Sequence, residues 1–167
     1  YDLIENGDVI AVGISGGKDS LVLLRALRDF QRFGLYDYRL IGITLDPQFG
    51  GIPTDYAPVA KFCEEIGVEY HLIPTQIGEI VFDARNEKHP CSLCAKMRRG
   101  ALHDAAKELG CNKLALGHHN DDATETFLMN LFIEGRIGCY APKAYLARKD
   151  LTLIRPLSFA TESDIIH

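Results

Sequence analysis

The stretch from Val9 to Leu24, VIAVGISGGKDSLVLL, constrains this chain more than any other. Val9 to Ile14 carries no charge and is rich in Val and Ile, the pattern of a strand buried on both faces and therefore of the parallel kind. Beyond a glycine pair the apolar spacing changes. Leu23, Leu24, Leu27 and Phe30 fall on one side of a helix, while Arg25, Arg28, Asp29 and Arg32 take the other. A buried parallel strand running at once into an amphipathic helix is the first half of a right-handed βαβ unit.

The same alternation continues. Arg39–Leu45, Val68–Pro74, Lys113–Gly117 and Thr152–Ile154 read as further buried strands, and residues from about 56 to 66, 92 to 109 and 121 to 132 as helices. In the last of these, Thr124, Phe127, Leu128, Leu131 and Phe132 form a wide apolar stripe. The expected fold is α/β: an open, doubly wound parallel sheet of about five strands with helices on both faces. With 167 residues and 47% hydrophobic content, the chain fits a single domain, 1–167. Thr75–Pro90 and Gly135–Asp150 are expected to be functional loops or flaps. No apolar run reaches the ~20 residues of a membrane span, and YDLIENGD lacks a signal-peptide pattern. A cytoplasmic protein without a membrane partner is expected. It starts at Tyr1 and stops within TESDIIH, so both ends are expected to be truncated.

Open α/β sheets bind ligands beyond the carboxyl ends of their strands, and the unusual polar residues gather there: ISGGKDS, LDPQFGG, GHHNDD and IRPL. Gly16 and Gly17 let the first turn point its N–H groups inward, and the following helix adds its positive end. That combination is an anion nest. Lys18 adds a cation, Ser15 and Ser20 add hydroxyls, and Asp19 suits the nest if it holds Mg²⁺ bridging to phosphates. The spacing is not that of a Walker A loop, because Gly13 and Gly17 enclose three residues and Asp19 follows Lys18. A glycine turn with Ser or Asp capping the helix is the plainer alternative. At GHHNDD, Asn120, Asp121 and Asp122 suit helix capping, while Asp122 could assist Mg²⁺ and His118 or His119 could contact a ligand. Arg155 suits a phosphate or a structural ion pair equally.

A net charge of −5 argues against binding nucleic acid through bulk charge. Arg85, Lys88, Lys96, Arg98 and Arg99, with His89, nevertheless form a basic island, readable as a solvated helix face or as a phosphate contact. Lys96, Arg99 and His103 would share one stripe of a helix. The odd count of five cysteines does not suggest a disulfide framework. Cys63, Cys111 and Cys139 are expected to pack as small hydrophobes. Cys91 and Cys94 lie one turn apart near a helix start, where the dipole favours thiolates. Alone, that pair is compatible with a redox dithiol, half a zinc site, with His89 or His103 completing it, half an iron–sulfur site, or two reduced thiols.

SGGKDS on Ser15–Ser20 resembles the PP-loop of the ATP pyrophosphatase superfamily, the adenine nucleotide alpha hydrolase-like fold. Together with PCSLCAKMRRG, LALGHHNDDATETFLMNLF and LIRPL, it resembles the tRNA 2-thiocytidine synthetase (tRNA-cytidine sulfurtransferase) family, in order along nearly the whole chain. The resemblance implies ATP cleaved between its α and β phosphates, adenylation of the C2 oxygen of an anticodon-loop cytidine, and its replacement by sulfur. It implies ATP contacts from Ser15, Gly16, Gly17, Lys18, Asp19, Ser20, Asp46, Gly117 and His118. Lys18, Asp19 and Asp122 would be catalytic, the two aspartates through Mg²⁺, and Lys96, Arg98 and Arg99 would meet RNA. It further implies a [4Fe-4S] cluster on Cys91, Cys94 and a third cysteine, expected beyond His167, with Cys139 or no cluster as alternatives. tRNA, a sulfur donor such as a cysteine desulfurase, and a second copy in a homodimer are the partners it suggests. A PP-loop ligase or amidotransferase, another PP-loop thiolase, and an ATP-binding module with a zinc or redox cysteine pair are the competing readings.

Overall fold

The structure is a computed structural model that describes residues 1–84 and 90–166. The elements follow as β1 (Asp8–Gly13), α1 (Lys18–Arg32), β2 (Tyr38–Asp46), a 3-10 turn (Phe49–Gly51), α2 (Ala57–Ile66) and β3 (Glu69–Pro74). After them come a π-helical turn (Glu79–Ala84), α3 (Pro90–Glu108), β4 (Lys113–Ala115), α4 (Asn120–Phe132), β5 (Lys143–Leu146), β6 (Leu151–Ile154) and α5 (Glu162–Ile166). The strands form one sheet in the order β3-β2-β1-β4-β6-β5, parallel except for β5, which runs antiparallel to β6.

β1 is uncharged after Asp8 because helices cover both its faces. Ile10 and Val12 pack with Leu23, Leu24 and Leu27 of α1 and Val59 and Cys63 of α2. Ala11 faces the other way, with Ile41, Ile43 and Leu45 of β2, Ala105 and Ala106 of α3, and Leu114 of β4. Cys63 and Cys111 are buried as small apolar groups, and burial pushes the Cys111 thiol up to about 11.

One expectation needs correction. The segment 135–150 is not wholly loop: KAYL forms β5, a sixth strand paired with β6 through a tight hairpin at Asp150, whose φ is 46°. None of its four residues is buried, so KAYL lacks the Val-, Ile- and Leu-rich run that marks β1 and β2. The apolar stripe of α4 exists but stays uncovered among the described residues: none of its residues is buried, and Met129 and Phe132 are mostly exposed. In the segment 75–90, residues 79–84 form the π-helical turn, while Arg85, Glu87, Lys88 and His89 of the basic island lie outside the described residues.

From β1 the chain winds outward to β2 and β3, whereas β4, β6 and β5 lie on its other side. The direction reverses between β1 and β4. Their carboxyl ends part there and leave the crevice in which such sheets take ligands.

Candidate functional site

The turn after β1 is held by its own serines. Ser15 N–H donates to Ser20 Oγ (3.2 Å), the Ser20 hydroxyl donates to Gly17 O (2.9 Å), and Gly17 N–H donates to Ser15 Oγ (3.3 Å). Gly16 sits at φ 85°, where a side chain would be strained. The residue at the N-cap of α1 is Gly17, which has no side chain to accept from the first-turn amides, so the alternative of Ser or Asp at the cap is not realised. The first-turn amides of α1 are left for a ligand. Across the crevice, a Cβ on Gly117 would stand 3.1 Å from the Asp19 carbonyl carbon and 3.2 Å from Ser20 N. The end of β4 therefore lies directly against the start of α1.

A cavity of about 430 Å³ opens from this junction, within the range of small-molecule sites. Ser15, Asp19 and Ser20 line one wall; Gly117, His118 and Asp122 line the next; Arg98, Arg99 and His103 of α3 close the side facing the sheet edge. Asp122 does two things at once. It lines the cavity, and its Oδ2 accepts the His119 N–H (2.9 Å) at the start of α4, so capping and site roles coexist. His119 is buried with Nε2 3.5 Å from Asp122 Oδ2, and it is not among the cavity-lining residues.

Both cavity histidines are held below the usual imidazole range, His103 by burial and Arg99, His118 by burial and Arg155. They are uncharged at neutral pH. His103 Nε2 and His118 Nδ1 are buried without a hydrogen-bond partner among the described residues, which suits a polar ligand in the space between. Behind His118 the Tyr140 ring lies 5.1 Å away, and the Arg155 guanidinium sits 4.6 Å above that ring. Arg155 also donates from Nη1 to Ala141 O (2.6 Å); it makes no ion pair among the described residues, and its Nε is buried without a partner. Burial raises the Tyr140 phenol to about 12.

Other expected residues fall elsewhere. Lys18 is half exposed and paired with Glu162 Oε1 (2.9 Å) and Asp19 Oδ1 (3.1 Å). Asp46 is buried, but its carboxylate accepts the Gln48 and Thr54 N–H groups (both 3.1 Å) and shapes the loop after β2. Lys96 is exposed outside the cavity, whereas Arg98 and Arg99 line it, so the basic residues of α3 divide between two surroundings. Cys91 is exposed and Cys94 is buried against Ile77 and Val81. Among the described residues no three His, Cys, Asp or Glu side chains cluster closely enough to hold a metal. Cys139, expected to pack as a small hydrophobe, is instead exposed, with its thiol donating to Ala123 O (3.3 Å) on α4. Tyr140 carried no sequence signal, lying in a segment read as loop.

The PP-loop domain family matches residues 3–167. The chain is 41% identical to the tRNA-cytidine(32) 2-sulfurtransferase of Dechloromonas aromatica over 99% of its own length and 57% of that protein. It is 41% identical to the enzyme of the same name from Geobacter sulfurreducens, covering 99% of this chain and 64% of that one. It thus spans between about half and two-thirds of the curated relatives it matches. Among solved structures, the U34-tRNA thiolase NcsA from Methanococcus maripaludis with its [4Fe-4S] cluster superposes with a TM-score of 0.77 at 30% identity, over 99% of this chain and 56% of that chain. The NH3-dependent NAD synthetase of Campylobacter jejuni, with a TM-score of 0.57 at 15% identity over 97% of this chain and 62% of that chain, shares the fold.

Proposed function

Because the chain belongs to the PP-loop domain family, we propose that its glycine turn holds the β and γ phosphates of ATP and that the domain serves ATP-dependent tRNA thiolation. In this reading the C2 oxygen of an anticodon-loop cytidine is adenylated and then replaced by sulfur to give 2-thiocytidine. The observation that carries it is one cavity joining the amide nest of α1, the two carboxylates Asp19 and Asp122, two uncharged histidines and the Arg98–Arg99 wall.

A carbonyl oxygen is a poor leaving group. Attack by the cytidine oxygen on the α phosphorus expels pyrophosphate and turns that oxygen into part of AMP, which sulfur can then displace. The chain's contribution is positioning and charge stabilisation, as in other phosphorus transfers. Ser15 and Ser20 fix the loop, and the free amides of α1 face the departing pyrophosphate. Lys18 reaches the phosphates by exchanging its exposed pairing with Glu162, a contact worth little in water. Asp19 and Asp122 both line the cavity and would hold Mg²⁺, which supplies neutralising charge at the phosphates. His103 and His118 can hydrogen-bond a base edge without adding charge, and Arg98 and Arg99 meet the anions of substrate or product. Lys96, outside, suits the RNA backbone.

Cys91 and Cys94, one turn apart at the start of α3, fit two of the three cysteine ligands of a [4Fe-4S] cluster, and the third is not among the described residues. Such a cluster, when bound, supplies an open iron for the incoming sulfur. A cysteine desulfurase as sulfur donor, a homodimer and a cytoplasmic location belong to the same proposal. No helix among the described residues is long and apolar enough to cross a membrane.

The test is thionucleoside analysis of tRNA from a strain lacking the gene. 2-Thiocytidine should vanish, return with the wild-type gene, and stay absent with Cys91→Ala/Cys94→Ala. Unchanged 2-thiocytidine in the deletion strain contradicts the substrate, and full rescue by the cysteine variant contradicts the cluster role of Cys91 and Cys94.

A further inference from the structure

Phe49, in the 3-10 turn after β2, and Phe82, in the π-helical turn, meet edge to face, with ring centroids 5.6 Å apart and planes at 78°. Each is 48% exposed. The two turns are locked together at the backbone, so the rings are not loose side chains on mobile loops. Gly78 N–H donates to Pro47 O (2.8 Å), and a Cβ at Gly78 would stand 2.7 Å from that oxygen and 3.0 Å from Phe49 Cα. The residue next to Phe82, Val81, is fully buried in a cluster with Cys94. The residues that follow Cys94 on α3 include the cavity-lining Ala95, Arg98 and Arg99 and the exposed Lys96. The aromatic corner is thus tied, through Val81 and Cys94, to the helix that carries Arg98 and Arg99 into the cavity wall.

Two perpendicular rings offer a floor and a wall to a flat π-system. Nucleobases stack on such rings irrespective of sequence, and neighbouring cations hold the phosphates between successive bases. A base that must be reached inside a cavity has to leave its stack, and the nucleotide beside it then loses a stacking partner. We propose that Phe49 and Phe82 form a stacking corner for an unpaired nucleobase of the RNA, adjoining the nucleotide whose base enters the cavity. The charge supports RNA as the occupant: on a chain of net charge −5, the helix that packs behind this corner through Cys94 carries Arg98 one turn further on, with Arg99 beside it in the cavity wall. The inference rests on the tRNA reading above.

The test measures binding of a fluorescein-labelled anticodon stem-loop RNA with a cytidine in its loop to the full-length protein, with a fully paired RNA duplex and ATP as separate probes. Phe49→Leu/Phe82→Leu keeps apolar bulk but removes the ring faces, and should weaken loop RNA binding roughly 5- to 100-fold. Phe49→Tyr/Phe82→Tyr should bind as wild type, and duplex and ATP binding should be unchanged in both. Thermal melting checks that the leucine variant is folded. Loop RNA binding equal to wild type in a folded leucine variant overturns the stacking corner while leaving the tRNA reading intact. A loss confined to ATP assigns the rings to adenine and also overturns it. Failure of the wild-type protein to bind the loop RNA sinks the tRNA reading itself.

Discussion

Gly117 has space for a hydrogen atom and little more, because backbone atoms of Asp19 and Ser20 occupy the position a methyl would take. Backbone cannot swing aside as the tip of a long side chain can, so Gly117→Ala must push the start of α1 by a few tenths of an ångström. A displacement of about 1 Å at a reacting centre can cost a hundredfold, so about a tenfold loss in ATP affinity is expected, with the melting temperature nearly unchanged. Calorimetric titration with ATP checks this, and wild-type affinity would show that the junction does not shape the phosphate site. At this scale legibility in the sequence was uneven. Ser15, Gly16 and Ser20 could be read because a glycine turn between a buried strand and an amphipathic helix has few other uses. Asp46 was less legible, since a carboxylate at a strand end serves a ligand or the loop's own amides equally well, and the hydrogen bonds from Gln48 and Thr54 show the second of these uses. Nor could Tyr140, whose contact with His118 joins residues far apart in sequence.

The amino ends of β1 and β4, opposite the cavity, are joined by a buried ion pair. Lys113 Nζ lies 2.7 Å from Asp8 Oδ2, and both side chains are almost fully buried. Asp8 also accepts from Asn112 Nδ2 (2.8 Å) and from Glu5 N–H (2.6 Å). Burial pushes the Asp8 carboxyl up, but Lys113 and these hydrogen bonds outweigh it and hold the group below its ordinary value of 3.8. A carboxyl with a depressed folded pKa contributes stability that is complete above the unfolded value and is lost as pH falls through the lower folded value. Asp8→Asn leaves Lys113 buried without its main counter-charge, at a cost of about 3 kcal/mol at pH 7. Urea unfolding at pH 7 should show that loss without a change in ATP affinity. At a pH below the folded value, wild type and variant should converge; a constant gap at every pH contradicts the assignment. Elements whose faces are covered were the most legible, as with β1 and α1. β5 was missed because its four residues, none of them buried, give too short an apolar run to stand out from a loop. α4 was found as a helix, yet its periodicity does not say whether anything covers its apolar side.

Across the whole molecule, the reversal of winding between β1 and β4 draws the ends of β1, β2 and β4 together with α3 into one crevice. The strand ends were legible from the sequence, because strand–helix alternation predicts which loops share an edge. That α3 turns Arg98, Arg99 and His103 inward was not, since a helix periodicity gives relative faces but not the face that meets the sheet. The result is an acidic protein with a locally basic cavity wall, suited to anionic substrates despite its net charge. The most direct measurement is identification of the phosphorus products formed by the full-length protein from α- and γ-labelled ATP in the presence of tRNA and a sulfur source. AMP and pyrophosphate are expected in equal amounts, strongly reduced in Asp19→Asn; ADP and orthophosphate as the products would contradict cleavage between the α and β phosphates.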